Sequence, residues 1–372
     1  MTAIFWLALA LVIYTYAGYP LLVILLSRLK REAVLPELDT WPPISIIVPF
    51  CNEANRVAEK LATLKALDYR GDIQIIFVSD GEEDDTANRV RDCAVAGVDT
   101  IILPERSGKP TALNVAVAVA RHEFVLFTDA RQSLGSEAVT RLVMRMQEPN
   151  VAAVSGELVF LDKDDNARIG LYWRYEKLIR QAESRVLSVP GVTGALYIIR
   201  KQFIRPLQAD ALLDDFEMPL AALRAKQRVV FESGALVFDQ VSEDIEKEKA
   251  RKVRTLTGNF QAFFRHGWLF LPWENPIWWQ FISHKVCRLC VPYWLLLLLA
   301  LPLFLDGFFY PLFFIAELGF YFLAVGNARG WPLCKGGLGA IALLFCELNL
   351  AAVQAAWRYI SQPVDSRWER TA

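Results

Sequence analysis

In the stretch EFVLFTDAR at residues 123–131, mostly apolar residues directly precede Asp129 and its carboxylate. A short continuous apolar run without a polar face is typical of a strand that is buried in a parallel sheet. Such a strand would place Asp129 at its carboxyl end, the edge where open α/β sheets bind their ligands. A carboxylate there needs a metal ion, a lysine or an arginine nearby. Otherwise Asp129 only caps the helix that follows.

Strand-like and helix-like segments alternate around this stretch. Apolar and β-branched runs predict strands at 44–49, 73–78, 100–103, 151–161, 196–199 and 229–231. Helical spacing of apolar residues predicts helices at 52–67, 111–120 and 167–186. This alternation predicts an α/β fold with a mostly parallel sheet that is covered by helices on both faces.

Composition indicates a membrane protein with a water-soluble centre. Of the 372 residues 54% are hydrophobic, and the mean hydropathy is +0.27. The apolar excess lies at the two ends, at 2–26 and in three runs at 289–305, 308–325 and 338–356. Runs of about 20 apolar residues are long enough to cross a bilayer. The net charge of −1 argues against binding to nucleic acid.

Charges beside the apolar runs predict the orientation in the membrane. Arg28, Lys30 and Arg31 follow the first run, which has no signal-peptide cleavage pattern, so the positive-inside rule places the next domain in the cytoplasm. Three further spans would leave the C-terminal tail outside, whereas its basic residues argue for the inside: Arg358, Arg367 and Arg370. The sequence leaves this conflict open.

Nucleotide binding, if present, would use side-chain carboxylates. Neither G-x-G-x-x-G after the first strand nor a G-x-x-x-x-G-K-[ST] loop occurs, which disfavours a dinucleotide site and a P-loop. Asp80 ends the second strand, where it could accept hydrogen bonds from a ribose or a base. Paired with Gly81, it could equally be a turn residue.

Six segments together resemble family 2 glycosyltransferases with a GT-A fold. They occur in the family's order: PFCNE at 49–53 for P-x-x-N-E, SDG at 79–81 with DDT at 84–86, GKPTALN at 108–114 for G-K-x-x-A-L-N, TDAR at 128–131 for D-x-D, GVTGA at 191–195 for G-x-x-G-A, and DDF at 214–216. The resemblance implies inverting transfer of a sugar from a nucleotide diphosphate, usually uridine diphosphate.

The same resemblance implies roles for individual residues. Asp80 would hold the base and ribose, Asp129 the sugar nucleotide with a divalent ion, Mg²⁺ or Mn²⁺, and Lys109 the nucleotide or phosphate charge. The P-x-x-N-E segment adds Pro49 and Glu53 to the nucleotide-sugar site.

Asp215 aligns with the family's general base. An acceptor hydroxyl is a weak nucleophile at neutral pH, so a carboxylate has to take its proton. The sequence Asp214-x-x-Glu217 also resembles a helix capping box, and we interpret Asp214 as the cap and Asp215 as the base.

Arginines occupy positions that the resemblance connects with binding of the diphosphate. Arg131 replaces the second acid of D-x-D, and it could bind a phosphate in a bidentate manner or be a solvated side chain. RKVRT at 251–255 resembles a divergent Q-x-x-R-W segment, which assigns diphosphate binding to Arg254. Arg251 could bind phosphate on the acceptor side or contact an anionic membrane surface.

These patterns predict a plasma-membrane glycosyltransferase with a cytoplasmic catalytic domain. Its acceptor would be a polysaccharide or oligosaccharide; the alternatives are a polyprenyl phosphate or ceramide lipid, or a protein that binds nucleotide sugar without catalysis. Membrane lipid is an expected partner, and a homo-oligomer or export partners are possible partners. The predicted parts are a membrane helix at 1–27, a linker at 28–42, a GT-A domain at 43–250, a basic interfacial segment at 251–286, membrane helices at 287–357 and a tail at 358–372.

Overall fold

A computed structural model describes residues 1–31, 35, 37–161, 167–240 and 245–362. Eight strands form one sheet in the order β3-β2-β1-β4-β7-β6-β8-β5. The strands are β1 (Ile44–Phe50), β2 (Ile73–Asp80), β3 (Asp99–Leu103), β4 (Phe124–Phe127), β5 (Ser133–Leu134), β6 (Val151–Leu161), β7 (Tyr197–Arg200) and β8 (Arg228–Gln240).

The first four long strands are parallel, as their apolar character predicts. β1 pairs with β2 and β4, and β2 pairs with β3, all in parallel. Every residue of β1 and of β4 is buried, because helices cover both faces. The strand order reverses between β1 and β4, so the ends of β1, β2 and β4 open onto one crevice, the usual place for a ligand in such sheets.

The second half of the sheet is mixed. β7 is antiparallel to β4 and β6, whereas β6 and β8 pair in parallel through two register shifts. The last strand is much longer than the predicted 229–231, because it continues to Gln240 beside β6. An α/β fold with a largely parallel sheet is confirmed, with antiparallel pairing confined to β5 and β7.

Helices follow the strands on both faces and continue at both ends of the described chain. They are α1 (Thr2–Ile13), α2 (Tyr19–Arg28), α3 (Ala54–Lys65), α4 (Thr86–Asp92), α5 (Lys109–Val119), α6 (Ala138–Met146), α7 (Ala167–Val186), α8 (Asp214–Glu217), α9 (Leu220–Arg224), α10 (Ile245–Arg265), α11 (Trp278–Gln280), α12 (Cys287–Ala300), α13 (Phe309–Ala328) and α14 (Gly337–Ser361). Segments of π-helix at Tyr14–Gly18 and Phe281–Val286 join α1 to α2 and α11 to α12.

Four helical stretches in the described part of the chain are long and apolar enough to cross a membrane. They are Thr2–Arg28, Trp278–Phe304, Phe309–Ala328 and Gly337–Ser361. The beginning of the first packs on the beginning of the third, where the Phe5 ring lies 6.2 Å from Phe309 and 5.1 Å from Phe313. Because the sheet follows Arg28, this contact marks the end of the helical layer that is remote from the sheet.

The last helix ends next to the sheet domain. The ring of Tyr359 stacks on Phe264 of α10 at 5.4 Å and 10°. α10 in turn is tied to the sheet domain, since the Gln261 side chain accepts from the Leu212 amide at 3.0 Å and donates to the Asp210 carbonyl at 2.9 Å. The beginning of α14 lies beside the end of α13, where a Cβ on Gly339 would be 3.2 Å from the Asn327 side chain. Pro36, residues 241–244 and the tail from 363, including Arg367 and Arg370, lie outside the described residues.

Candidate active site

Lys109 joins two carboxylates that are far apart in the sequence. It is the first residue of α5, and its Nζ lies 2.9 Å from Asp129 Oδ1 and 3.1 Å from Asp214 Oδ2. Burial alone would lower the pKa of Lys109, but the two carboxylates outweigh burial and raise it. The ammonium therefore stays charged and neutralises the acids at the carboxyl end of β4.

Asp214 does not cap α8, contrary to the sequence interpretation. The helix begins at Asp214 itself, Leu213 occupies the N-cap, and no side chain makes a capping hydrogen bond. The carboxylate turns to Lys109 instead, because a buried acid gains more from an ion pair than from a helix of one turn.

Asp215 follows Asp214 at the start of α8 and is held by a glycine segment. The amide of Gly194 donates to Asp215 Oδ2 at 3.3 Å, and the amide of Val192 donates to the Asp215 carbonyl at 3.1 Å. A Cβ on Gly194 would lie 3.3 Å from Asp215 Oδ2, so the close approach favours glycine. Burial and the neighbouring Asp214 raise the pKa of Asp215 to about 6, against the opposing effect of Lys109 and Lys285.

Asp80 holds the loop that precedes Lys109. Its carboxylate is fully buried and accepts from the amides of Ser107 and Gly108, both at 2.8 Å. Gly108 has φ +91°, a conformation that other residues rarely adopt. Asp80 therefore positions Lys109 through the backbone, while its contact with base and ribose stays a prediction.

Arg131 is ion-paired and not a free surface side chain. Its guanidinium lies 2.7 Å from Asp239 Oδ2, near the end of β8. The Gln132 amide also donates to Asp239 Oδ2, at 3.0 Å. Where the resemblance would put a second metal-binding acid, the structure thus has a cation fixed at the crevice.

Glu53 and Lys60 form a second charged layer behind Asp129. Burial, reinforced by Asp129, raises the pKa of Glu53 to about 7. Lys60 is fully buried and donates to Thr128 Oγ1 at 3.0 Å and to the Gln132 carbonyl at 2.8 Å; burial lowers its pKa to about 7. Sequence reasoning missed Lys60, although it shares the buried face of α3 with Val57 and Leu64 and so breaks an apolar stripe.

The remaining predicted residues lie on β1 and α10. Pro49 is buried near the end of β1. The Arg251 side chain, on α10, is 44% exposed and lies 3.4 Å from Glu248; partial burial of its guanidinium and the nearby Arg131 lower its pKa. Arg254 is half-buried one turn further along and has no ion pair within the described ranges. The structure does not bring Arg254 into contact with the group around Lys109.

Two cations that the sequence analysis did not single out as site residues lie near Asp215. Arg180 of α7 donates to Thr193 Oγ1 at 2.6 Å and to Ser155 Oγ at 2.8 Å. Lys285 lies in the π-helical segment before α12 and is near enough to lower the pKa of Asp215. The signal was weak: Lys285 is a charge at the start of an apolar run.

The crevice therefore combines a fixed ammonium with several carboxylates, and the pKa values of two of these acids, Asp215 and Glu53, are raised toward neutrality. A base with such a pKa is suited to proton transfer near pH 7. Lysine and arginine side chains nearby can stabilise a leaving group that develops negative charge. Among the residues that the structure describes, no group of three or more His, Cys, Asp or Glu side chains could hold a metal ion.

Comparison with a solved structure agrees with this fold. A mannosyltransferase from Pyrobaculum calidifontis, solved in complex with GDP-Man and Mn²⁺, matches 96% of this chain and 99% of that protein with a TM-score of 0.72 and 21% identity. At this identity the likeness shows that the two share the GT-A fold.

Comparison of sequences gives the family. Proteins named N-acetylglucosaminyltransferase are 28% identical over 197 residues in Mesorhizobium japonicum, with 49% of this chain and 44% of that protein covered, and 31% identical over 128 residues in Bradyrhizobium elkanii, with 33% and 70% covered. The chain spans about half the length of the curated relatives it matches first. The family model described as glycosyl transferase family 2 matches residues 45–206. This chain belongs to glycosyl transferase family 2.

Proposed function

We propose that the protein is a membrane-bound inverting glycosyltransferase that moves a sugar from a uridine-diphosphate sugar to a carbohydrate acceptor. The names of its relatives make N-acetylglucosamine the first sugar to test. The observation that carries the proposal is the convergence of Asp129, Lys109, Asp214 and Asp215 on one crevice at the carboxyl edge of the sheet. The catalytic domain is proposed to span 43–250, and 251–286 to lie at the membrane surface.

Asp215 is proposed as the general base. The acceptor oxygen forms a bond to the anomeric carbon while Asp215 takes its proton. The bond from that carbon to the diphosphate breaks on the opposite face, and the nucleoside diphosphate leaves with the electron pair. Attack opposite the leaving group inverts the anomeric configuration. The raised pKa of Asp215 favours this step because a stronger base accepts the proton more readily.

Donor binding is assigned to the side of the crevice that contains Lys109. Lys109, Arg131 and Arg254 would stabilise the diphosphate, while Asp80 and the P-x-x-N-E segment, with Pro49 and Glu53, would line the nucleoside. Arg251, next to Arg131, would contact phosphate or the membrane surface.

A divalent ion fits this site with a single protein carboxylate. The Asp129 side chain is 30% exposed, and Lys109 contacts its Oδ1 atom. Magnesium in particular is often held by one or two carboxylates together with substrate phosphates. Asp129 would therefore hold Mg²⁺ or Mn²⁺ with the diphosphate, and the ion would supply charge stabilisation to the leaving group.

The helical layer suggests how the chain sits in a membrane. α13 begins at the remote end, beside Phe5, and runs back toward the sheet domain. α14 begins beside the end of α13 and finishes against α10. We propose that three stretches cross the membrane and that α14 lies along the cytoplasmic side, which removes the conflict over the charge of Arg358.

Replacing the base tests the assignment directly. Asp215→Asn is expected to lower transfer of N-acetylglucosamine from its uridine-diphosphate donor by about 10²- to 10⁴-fold, because the acceptor proton loses its recipient. Product formation in detergent or nanodiscs measures the loss. Asp210→Asn, which alters a more exposed acid on the same segment, should keep turnover within about threefold of wild type. Substantial turnover by Asp215→Asn would move the base elsewhere.

The pH dependence follows from the raised pKa. Asp215 has to be ionised to accept a proton, so kcat/KM should fall about tenfold per pH unit below a pKa of about 6. A pH profile between 4.5 and 8, with donor binding measured in parallel, would detect this. A profile that stays flat down to pH 5 would contradict the assignment.

Removal of the metal tests the cofactor. A chelator should lower turnover about tenfold or more, and added Mn²⁺ or Mg²⁺ should restore it. Asp129→Asn should raise the metal concentration needed for half-maximal rate, whereas Asp210→Asn should not. Undiminished activity in the chelator would remove the metal from the proposal.

The topology can be read with reporter fusions. Green fluorescent protein should fluoresce when fused after Gln362 or after Lys335, because both ends of α14 are expected in the cytoplasm. Alkaline phosphatase should be active only when fused after Asp306, between α12 and α13. Phosphatase activity at Gln362 would show that α14 crosses the membrane.

A further inference from the structure

One face of α7 meets the helices at the two ends of the chain through buried charges. Glu176, Arg180 and Glu183 recur at helical spacing on this face. His284 Nδ1 lies 2.7 Å from Glu183 and its Nε2 lies 3.2 Å from Glu176. Arg288 pairs with Glu176, and the Tyr19 hydroxyl donates to Glu183. Both acids of the face therefore have partners of their own.

Arg180 is different because its partners are neutral. Besides Thr193 and Ser155, its guanidinium donates to the Gly191 carbonyl at 3.4 Å, and it lies over the ring of Phe231 at 4.8 Å. Within the described ranges no carboxylate oxygen lies within 4.0 Å of it. Neutral groups therefore orient its guanidinium, and Glu176 and Glu183 of the same helix are paired with other residues.

Lys285 follows His284 directly and is half-buried. It makes neither a hydrogen bond nor an ion pair with any residue that the structure describes. It also lies in Trp278–Phe304, a helical stretch long and apolar enough to cross a membrane. An ionisable residue in such a stretch is costly, and a ligand of opposite charge would offset the cost.

Both cations lie near Asp215. Arg180 binds Thr193, whose neighbour Gly194 binds Asp215. Lys285 follows His284, which contacts Glu176 and Glu183 on the same face of α7 as Arg180. Asp129 lies beside Lys109. The two cations thus lie where α7 meets the helical stretch Trp278–Phe304.

We propose that Arg180 and Lys285 bind a phosphoryl group of the acceptor, which makes the acceptor a phosphorylated lipid. A guanidinium with a fixed plane suits phosphate oxygens, and a lysine adds a point charge. The lipid chain would run along the membrane helix that carries Lys285. This inference rests on the proposed sugar transfer and specifies its acceptor.

The transfer step is chemically balanced when the acceptor is a phosphorylated lipid. The attacking oxygen belongs to a P–OH group or to a hydroxyl of a sugar attached through phosphate. In either case it bonds to the anomeric carbon, its proton goes to Asp215, and the nucleoside diphosphate leaves with the electron pair. No oxidant, reductant or further reactant is needed.

Binding in nanodiscs tests the inference without turnover. The full chain is placed in phosphatidylcholine nanodiscs that contain a polyprenyl phosphate, the corresponding polyprenol or phosphatidic acid, and bound lipid is counted by native mass spectrometry. Wild type should bind the polyprenyl phosphate at least about tenfold more tightly than the polyprenol. Lys285→Gln should lose this preference, Lys285→Arg should retain it, and Lys335→Gln, at another membrane boundary, should bind like wild type.

Phosphatidic acid and inorganic phosphate test whether the bound phosphoryl group has to belong to a lipid. Binding of either lipid phosphate that depends on Lys285 supports the inference. Equal binding of polyprenol and polyprenyl phosphate, or binding that is unchanged in Lys285→Gln, overturns it, as does binding of inorganic phosphate without any lipid preference.

Donor binding distinguishes this inference from the proposed function. Binding of the uridine-diphosphate sugar in the absence of acceptor should be the same in wild type and Lys285→Gln, because the proposed donor site does not include Lys285. Unchanged donor binding without a preference for phosphorylated lipid would overturn the acceptor assignment alone. Failure of every nucleotide sugar to bind or turn over would instead overturn the proposed function.

Discussion

The ammonium of Lys109 is the constraint on which the site depends. Asp129 arrives from β4 and Asp214 from α8, and neighbouring carboxylates raise one another's pKa unless a cation lies between them. Lys109 contacts both, at 2.9 and 3.1 Å. Asp215, which has no such contact with Lys109 in the structure, retains a raised pKa. One lysine thereby pairs with two of the three neighbouring acids and leaves Asp215, the proposed base, outside these ion pairs.

The backbone around Lys109 explains why a glycine precedes it. Asp80 accepts from the amides of Ser107 and Gly108, which fixes the start of α5. The positive φ of Gly108 lets the chain turn into the helix, and Pro110 follows at a position where the absence of an amide proton costs little. The G-K segment thus fixes the position of the Lys109 ammonium group. Substitution of the glycine would displace the charge even if the lysine remained.

Local sequence patterns predicted the helices and strands better than they predicted the contacts between them. The parallel strands were predicted because short continuous apolar runs are typical of strands buried in a parallel sheet. The crevice follows from the order of these strands in the sheet. The cap at Asp214 was wrong because the pattern Asp-x-x-Glu carries no information about Lys109, more than a hundred residues earlier. Arg131 likewise found its partner, Asp239, on a strand that lies far along the chain. Ion pairs of this kind are decided by tertiary structure.

The junction between the sheet domain and the long apolar helices also contains buried charges. Buried charges are tolerated when they are paired, and Glu176 and Glu183 are satisfied by Arg288, His284 and Tyr19. Such pairs hold α7 against the helices of both chain ends. If the charges at this junction served only to hold the helices together, Arg180 and Lys285 would be expected to have carboxylate partners too. Arg180 is instead held by neutral hydroxyls and a carbonyl, an arrangement that orients its guanidinium and on which the proposed phosphoryl site rests.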